Sequence, residues 1–92
     1  MSSETPYRIG VAAEARRGLH RLPRKIAAAV LEFLTGPLAA DPARVSKPLA
    51  HELTGYRSAR RGDYRILIRI DEEAHAVLVV RIDHRADVYR PR

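Results

Sequence analysis

The sequence contains no cysteine, and this absence excludes several classes of chemistry. Without thiols the chain cannot form disulfide bonds, supply a thiolate nucleophile or build a zinc site on thiolate ligands. No apolar run approaches the roughly 20 residues that a membrane-spanning helix needs, and the N-terminal residues do not form a signal sequence. We therefore expect a cytoplasmic protein that does not bind membranes.

Other site motifs are also missing from the sequence. It has no Gly-x-Gly phosphate loop and no serine that is paired with an evident base. Three histidines, His20, His51 and His75, have no spacing that would bring two ligands together on one turn of chain. We expect no metal site and no cofactor.

Length and composition predict one globular domain over residues 1–92. A typical domain has about 100–200 residues, so the 92 residues leave no room for a second one. Hydrophobic residues make up 46% and charged residues 30% of the chain, which is a globular rather than a disordered composition.

Lysine is scarce, whereas arginine is abundant. Only Lys25 and Lys47 are lysines among the 17 basic residues, and the formal net charge is +6. Arginine binds phosphate through two parallel hydrogen bonds and stacks on bases, so this balance indicates a partner such as nucleic acid. The alternative is a genome of high GC content, whose codons favour arginine whatever the function.

The first half of the chain reads as one strand followed by two helices. Residues 6–12 alternate with a period of two, which predicts a β-strand. Apolar residues at helical spacing predict a short helix over 13–22 and a second helix that starts at Pro23. Gly36-Pro37 is expected to end or distort this second helix, with Leu38 continuing its apolar stripe.

The second half reads as an irregular segment and then three strands. Residues 41–54 contain two prolines and are predicted to be irregular. Strands are predicted over 56–61, 64–70 and 76–83, with Gly62-Asp63 as a two-residue hairpin turn. The third of these is the most apolar, so we expect it in the centre of the sheet.

Together these elements predict an α+β fold in the order β-α-α-β-β-β. Two N-terminal helices would pack on one face of a four-stranded, mainly antiparallel sheet. The expected core residues are Ile26, Val30, Phe33, Leu34, Ile66, Ile68 and Val79.

Basic residues concentrate on the predicted hairpin. Arg65, Leu67 and Arg69 share one face of its second strand because side chains alternate. Neighbouring strands add Arg57, Arg60, Arg61 and Arg81. Like charges on adjacent strands destabilise a sheet, so their presence indicates a surface that binds phosphate. Simple solvation of an exposed sheet face is the alternative.

Two segments carry a family resemblance. Residues 60–65 read Arg-x-Gly-Asp-Tyr-Arg, and residues 84–89 read His-Arg-x-Asp-Val-Tyr. With Leu22-Pro23, Gly36-Pro37-Leu38 and Lys47-Pro48-Leu49 between the ends, the chain resembles a RelE-type toxin of the bacterial RelE/ParE superfamily. The resemblance extends from Tyr7 to Arg90 and implies the same β-α-α-β-β-β order.

The resemblance implies an enzyme of a type II toxin–antitoxin module, a metal-independent mRNA endonuclease. Such a toxin enters the ribosomal 30S A site and cuts the codon there. The ribose 2′-OH attacks the adjacent phosphate, which leaves a 2′,3′-cyclic phosphate and a 5′-OH. This reaction needs a base for the 2′-OH, a clamp for the phosphorane and an acid for the leaving oxygen.

The resemblance also assigns candidate roles to individual residues. Arg65 matches the arginine that holds the scissile phosphate, and Arg60 matches a basic position on the preceding strand. The candidate catalytic residues are Arg60, Arg65, His84, Arg85 and Tyr89. The candidate RNA-binding residues are Lys47, Arg57, Arg61, Arg81 and Arg90. Two positions depart from the family pattern, because Ser58 and Asp83 stand where several members carry basic residues.

Elementary chemistry divides the candidate catalytic residues into two groups. Arginine side chains keep their charge, so the arginines are expected to act as electrostatic clamps. Histidine is the side chain that titrates near neutral pH, which makes His84 a natural acid–base group. Tyr89 is the other candidate, if nearby arginines lower its pKa from about 10. The sequence leaves open which of the two transfers the proton, and His84 as a hydrogen-bonding strand-end residue is the alternative to a catalyst.

The expected partners follow from the same resemblance. They are an acidic RelB-like antitoxin, the ribosome and its mRNA, with a heterodimer or heterotetramer as the inactive complex. An acidic antitoxin matches the basic charge of this chain, since opposite charge steers association.

Two other functions remain open on the sequence. One is the ParE-like branch of the superfamily, which poisons DNA gyrase and cuts no RNA. The other is an inactive RNA- or ribosome-binding member of the fold, for which the departures at Ser58 and Asp83 argue. The fold alone cannot separate these functions from cleavage of mRNA.

Overall fold

A computed structural model describes residues 5–84 of the chain. The secondary structure comprises strands and helices whose bounds are as follows: β1 Arg8–Val11, α1 Ala13–Arg21, α2 Arg24–Phe33, β2 Ser46–Pro48, β3 Arg57–Arg61, β4 Tyr64–Asp71 and β5 Ala76–His84. A wide π turn, Leu34–Leu38, follows α2, and a single 3₁₀ turn, His51–Leu53, precedes β3.

Within residues 5–84 the sheet has five strands, in the order β1-β5-β4-β3-β2. The predicted number of four is therefore wrong. The additional strand, β2, is three residues long and lies inside the segment 41–54 that was predicted to be irregular. Strand β1 runs parallel to β5, and the other three pairings are antiparallel.

The helices cover one face of this sheet, and the core lies between the two layers. Alternate residues of the central strands face the helices, among them Ile66, Ile68 and Val79, and all three are fully buried. Helix α2 contributes Val30 and Phe33 to the same core. The wider buried cluster contains Ala15, Val30, Phe33, Leu34, Leu38, Ala59, Ile66, Ile68, Val77, Val79 and Ile82. Ile26, which was predicted to belong to the core, is half-buried and packs at its margin.

Gly36-Pro37 distorts the end of the second helix, as predicted. The α-helix ends at Phe33, and the chain continues as the π turn that contains Pro37. Proline has no backbone N–H, so it cannot donate the hydrogen bond that a regular helix requires. Leu38, at the end of this turn, is fully buried and continues the apolar stripe.

Helix α1 lies directly against β5, and Gly18 makes this contact possible. A Cβ atom at position 18 would lie 3.0 Å from the carbonyl oxygen of Ile82. The helix therefore covers the half of β5 that extends beyond β1, whose last paired residue is Val11.

A glycine also permits the hairpin turn between β3 and β4. Gly62 has a φ of +61°, a conformation that other residues rarely adopt. The predicted hairpin is confirmed, with Arg61 opposite Tyr64 as its last pair. Strand β5 lies between β4 and β1, so it is an interior strand, although the central strand is β4. Among the described residues, no helix has the length and apolar character needed to cross a membrane.

Candidate active site

The face of the sheet opposite the helices, here called the open face, carries four of the predicted basic residues that the structure describes. Residues that are opposed in a β-ladder point to the same side. Arg60, Arg65 and Asp83 are opposed across β3, β4 and β5 and form one row. The next row contains Lys47, Ser58, Leu67 and Arg81. The open face therefore brings together basic residues from four strands.

A basic groove of about 480 Å³ lies on the β2 side of this face. Its cationic lining residues are Arg44, Lys47, Arg60 and Arg65, and the rest of its lining is Val45, Ser46, Pro48, Leu49 and Ser58. None of the described residues that line it is acidic. Arginine and lysine groups around a concave surface favour a polyanion, because each can bind a phosphate oxygen.

Arg44 also lines this groove, but it was not among the site residues predicted from the sequence. It lies in the turn before β2, in a segment that showed no periodicity. No local signal in the sequence could have found it, because its place beside Lys47 depends on the turn that leads into β2.

Arg57 does not join the groove, because it lies opposite the buried Ile68 on the helix side of the sheet. Its Nε donates a hydrogen bond to Ser46 Oγ at 2.7 Å. One terminal nitrogen donates to the carbonyl oxygens of Ser46 and Ala43 at 3.1 and 3.2 Å. Ser46 Oγ in turn donates to the carbonyl of Pro42 at 2.7 Å. Arg57 thus fastens the turn that carries Arg44 to the edge of the sheet.

Arg61 also lies on the helix side, opposite Tyr64. It lines a separate groove with Lys25 and Ile26 of α2. The structure therefore separates Arg57 and Arg61 from Arg60 and Arg65, although the four were predicted to form one cluster. Alternation along β3 is the reason, since successive side chains point to opposite faces.

Comparisons with known proteins identify the family of the chain. Residues 9–89 match the family model described as the ParE toxin of the type II toxin–antitoxin system parDE. The chain belongs to this toxin family. The resemblance inferred from the motifs is confirmed.

The toxin is similar to two toxins of Mycobacterium tuberculosis. It is 55% identical to toxin RelG over 92% of its own length and 98% of the relative. It is 49% identical to toxin RelE, over 98% of its length and 93% of the relative. A solved toxin–antitoxin complex of the same organism, RelBE2, matches with a TM-score of 0.86 at 53% identity and covers 92% of this chain and 98% of the solved chain.

Arg81 of the toxin reaches the open face through a β-bulge. Leu67 is opposed by Arg81 and Ile68 by Val79, so Val80 is an extra residue between them. A bulge of this kind changes the face to which the following side chains point. Arg81 is then ion-paired: its Nη2 lies 2.7 Å from Asp83 Oδ2 and its Nε lies 3.8 Å from Glu14 Oε2.

The remaining predicted residues of the toxin lie at the C-terminal end of β5. His84 is exposed and opposes Tyr64, with their rings edge to face at a centroid distance of 5.1 Å. This register places His84 on the helix side, whereas Arg65 lies on the open face. Arg85, Tyr89 and Arg90 lie outside the described residues.

Metal ligands do not gather in the described part of the toxin. Residues 5–84 contain no group of three or more His, Asp or Glu side chains that could hold a metal ion. The basic groove itself offers guanidinium and ammonium groups, which bind and stabilise negative charge.

Proposed function

We propose that the toxin is a ribosome-dependent mRNA endonuclease that cleaves the codon in the 30S A site. The observation that carries this proposal is the basic groove, in which Arg60 and Arg65 stand side by side on adjacent strands. Two guanidinium groups at neighbouring positions suit the non-bridging oxygens of one phosphate.

The proposed reaction is a transesterification within the RNA. The 2′-oxygen forms a bond to the adjacent phosphorus while the bond from phosphorus to the 5′-oxygen breaks. The proton of the 2′-OH passes to a base, and the leaving 5′-oxygen takes a proton from an acid. The products are a 2′,3′-cyclic phosphate and a 5′-OH, and phosphorus keeps its oxidation state, so no external oxidant is required.

Arg65 and Arg60 act as the electrostatic clamp in this reaction. Negative charge grows on the phosphorane oxygens in the transition state, and fixed guanidinium groups stabilise it without reorganising. Removal of one such donor typically reduces the rate by about 10²–10³-fold. Arg44 and Lys47 continue the basic groove and hold neighbouring phosphates of the mRNA.

Proton transfer is assigned to the C-terminal end of the chain. His84 and Tyr89 are the candidate acid–base groups, and Arg85 would contribute positive charge. Arg90 would contribute to RNA binding. Because the register of β5 directs His84 away from the open face, Tyr89 is the stronger candidate.

The proposed partner in the inactive state is an acidic RelB-like antitoxin, in a heterodimer or heterotetramer. Support comes from the solved relative, which is a toxin–antitoxin complex, and from the net charge of +6. An acidic segment would compete with RNA for the same cations. A ribosomal substrate also implies a cytoplasmic protein.

The experiment compares Arg65→Ala with the matched control Arg61→Ala after induced expression in bacteria. Arg61 carries the same charge on the same hairpin but lies on the other side of the sheet. We expect Arg65→Ala to abolish growth arrest and A-site cleavage, measured by primer extension, and Arg61→Ala to retain both. Cleavage that persists in Arg65→Ala would contradict the clamp.

Inhibition of DNA gyrase is the second candidate, because the matched family model is that of the ParE toxin. Under this alternative the induced wild-type toxin would cause gyrase-linked DNA breaks and leave mRNA intact. An inactive RNA-binding member would do neither. The same induction experiment, read by primer extension and by DNA breakage, separates the three functions.

A further inference from the structure

The carboxylate of Asp83 lies among the basic residues of the open face. Asp83 is directly opposed to Arg65 on β4, and Arg81 precedes it by two residues on its own strand. Its side chain is only 16% exposed, compared with 31% for Arg81. Asp83 therefore lies opposite Arg65, a predicted catalytic residue, and close along its own strand to Arg81, a predicted RNA-binding residue.

The contact between Asp83 and Arg81 occupies two donors of the guanidinium group. Nη2 lies 2.7 Å and Nε lies 3.0 Å from the same carboxylate oxygen, Oδ2. A phosphate oxygen would use the same edge of the guanidinium group, since carboxylate and phosphate present similar acceptor geometry. A phosphate can bind this edge only by displacing Asp83.

Glu14 makes a weaker contact with the same arginine. Its Oε2 lies 3.8 Å from the Nε of Arg81, and its side chain is 52% exposed. Exposed ion pairs contribute little because water and salt screen them. Asp83 is therefore the acidic residue that holds Arg81.

We propose that Asp83 is a positioning residue that withdraws Arg81 from the phosphate-binding surface and so limits the affinity of the toxin for RNA. This inference depends on one part of the proposed function, namely that the open face binds RNA. The β-bulge at Val80 is what creates this arrangement, because it turns both Arg81 and Asp83 to the open face. The number of arginines available to RNA is thus smaller than the number on that face.

The test measures how binding of the full chain to RNA depends on salt. The probe is a single-stranded RNA oligonucleotide with 2′-O-methyl groups, which cannot undergo attack by a 2′-OH. The variants are Asp83→Asn, Arg81→Gln and the double variant. The matched control is Asp71→Asn, which has the same charge change on the same face at the far end of β4.

We expect Asp83→Asn to bind RNA more tightly than Asp71→Asn does. In this variant Arg81 is released from the carboxylate and can bind one more phosphate. The plot of the logarithm of the RNA-binding constant against the logarithm of the salt concentration should then be steeper by about 0.7. Between 50 and 200 mM salt, this slope corresponds to an additional loss of about 2.6-fold in affinity. Arg81→Gln should keep the wild-type slope, and the double variant should return to it.

Two results would overturn the inference. One is an Asp83→Asn slope equal to that of Asp71→Asn, and the other is a shallower slope for Arg81→Gln alone. The second result needs no folded Asp83→Asn protein, so the inference stays testable if that variant fails to fold. A wild-type toxin whose RNA binding is absent, or unaffected by Arg65→Ala, would instead contradict the proposed function.

Discussion

Arg60 on β3 and Arg65 on β4 are directly opposed in the antiparallel ladder. Two guanidinium groups at opposed positions repel each other, and such pairs destabilise an antiparallel sheet. A chain of 92 residues has a small core and little stability to spare. Under the proposed function, the two arginines are present together because both bind the same phosphate of the RNA.

Replacement of Arg60 should separate stability from binding. Arg60→Thr removes one of the opposed charges and introduces a β-branched residue, so the free energy of unfolding should rise by about 0.2–1 kcal/mol. RNA affinity should fall. Urea denaturation and RNA titration measure the two effects. The control is Arg61→Thr, which is opposed to Tyr64 and should show no such gain; a less stable Arg60→Thr protein would contradict the repulsion.

Loss of Arg57 should destabilise the toxin although this arginine lies away from the basic groove. Arg57→Ala removes hydrogen bonds to Ser46 and to the carbonyl of Ala43, so we expect a loss of about 1.5–3 kcal/mol in urea denaturation. Arg57→Lys should not restore the stability, because an ammonium group lacks the planar fork that makes the three contacts. Arg61→Ala, the exposed control, should change the stability by no more than about 0.5 kcal/mol. Equal effects of Arg57→Ala and Arg61→Ala would refute the anchoring role.

Replacement of Gly18 in α1 by alanine is predicted to destabilise the toxin. The added Cβ would lie 3.0 Å from the carbonyl oxygen of Ile82, which the sheet holds in place. Crowding of about 1–3 kcal/mol should exceed the gain in helix propensity of about 1 kcal/mol. Gly36→Ala is the control, because nothing lies within 4 Å of a Cβ there. Thermal unfolding should show a lower midpoint for Gly18→Ala alone, and an unchanged midpoint would show that α1 can move away from β5.

The toxin is predicted to lose stability at alkaline pH because Tyr7, the residue before β1, loses its proton. Its hydroxyl donates a hydrogen bond to Glu72 Oε1 at 2.7 Å. This bond, together with burial and the charges of Glu72 and Asp41, raises the pKa of Tyr7 above its ordinary value of 10.0. The protonated phenol therefore stabilises the folded state below pH 10 and ceases to do so as the pH rises through the folded-state pKa.

Tyr7→Phe tests this dependence. The variant keeps the ring that stacks on His75 but loses the hydroxyl. Its deficit in unfolding free energy should be constant below pH 10 and should shrink above it, as measured by urea denaturation at several pH values. A deficit that stays constant into the alkaline range would show that the hydrogen bond to Glu72 does not contribute.

The hairpin of β3 and β4 is an element that the sequence pattern predicted. Alternation in residues 64–70 and the turn at Gly62 depend only on neighbours in the chain, and both were predicted correctly. The same alternation separates Arg65 from Ile66 and Ile68, so the open face of β4 could be predicted. Family motifs at residues 60–65 and 84–89 were sufficient to indicate the toxin family.

Strand β5 shows where the pattern fails. A period of two would place Arg81 on the face of Val77 and Val79, which is the buried face. The bulge at Val80 reverses this assignment, and a bulge is defined by the pairing of one strand with another. Its position, and with it the contact between Arg81 and Asp83, could not be derived from β5 alone.

Strand β2 and the basic groove depend on long-range contacts in the same way. Three residues, one of them a proline, are too few to show a period. They form a strand because β3 supplies their partners and Arg57 fastens the preceding turn. Arg44 consequently joins the groove without any local signal in the sequence.

The sequence by itself determined the toxin family, the β-hairpin and the excess of arginine, because each of these is local along the chain or a matter of composition. Only the tertiary structure decided which arginines line the groove, which one fastens a turn and which one is bound to a carboxylate. The physical reason is that the face on which a side chain lies, and the charge that stands beside it, depend on the register between strands that are distant in the sequence.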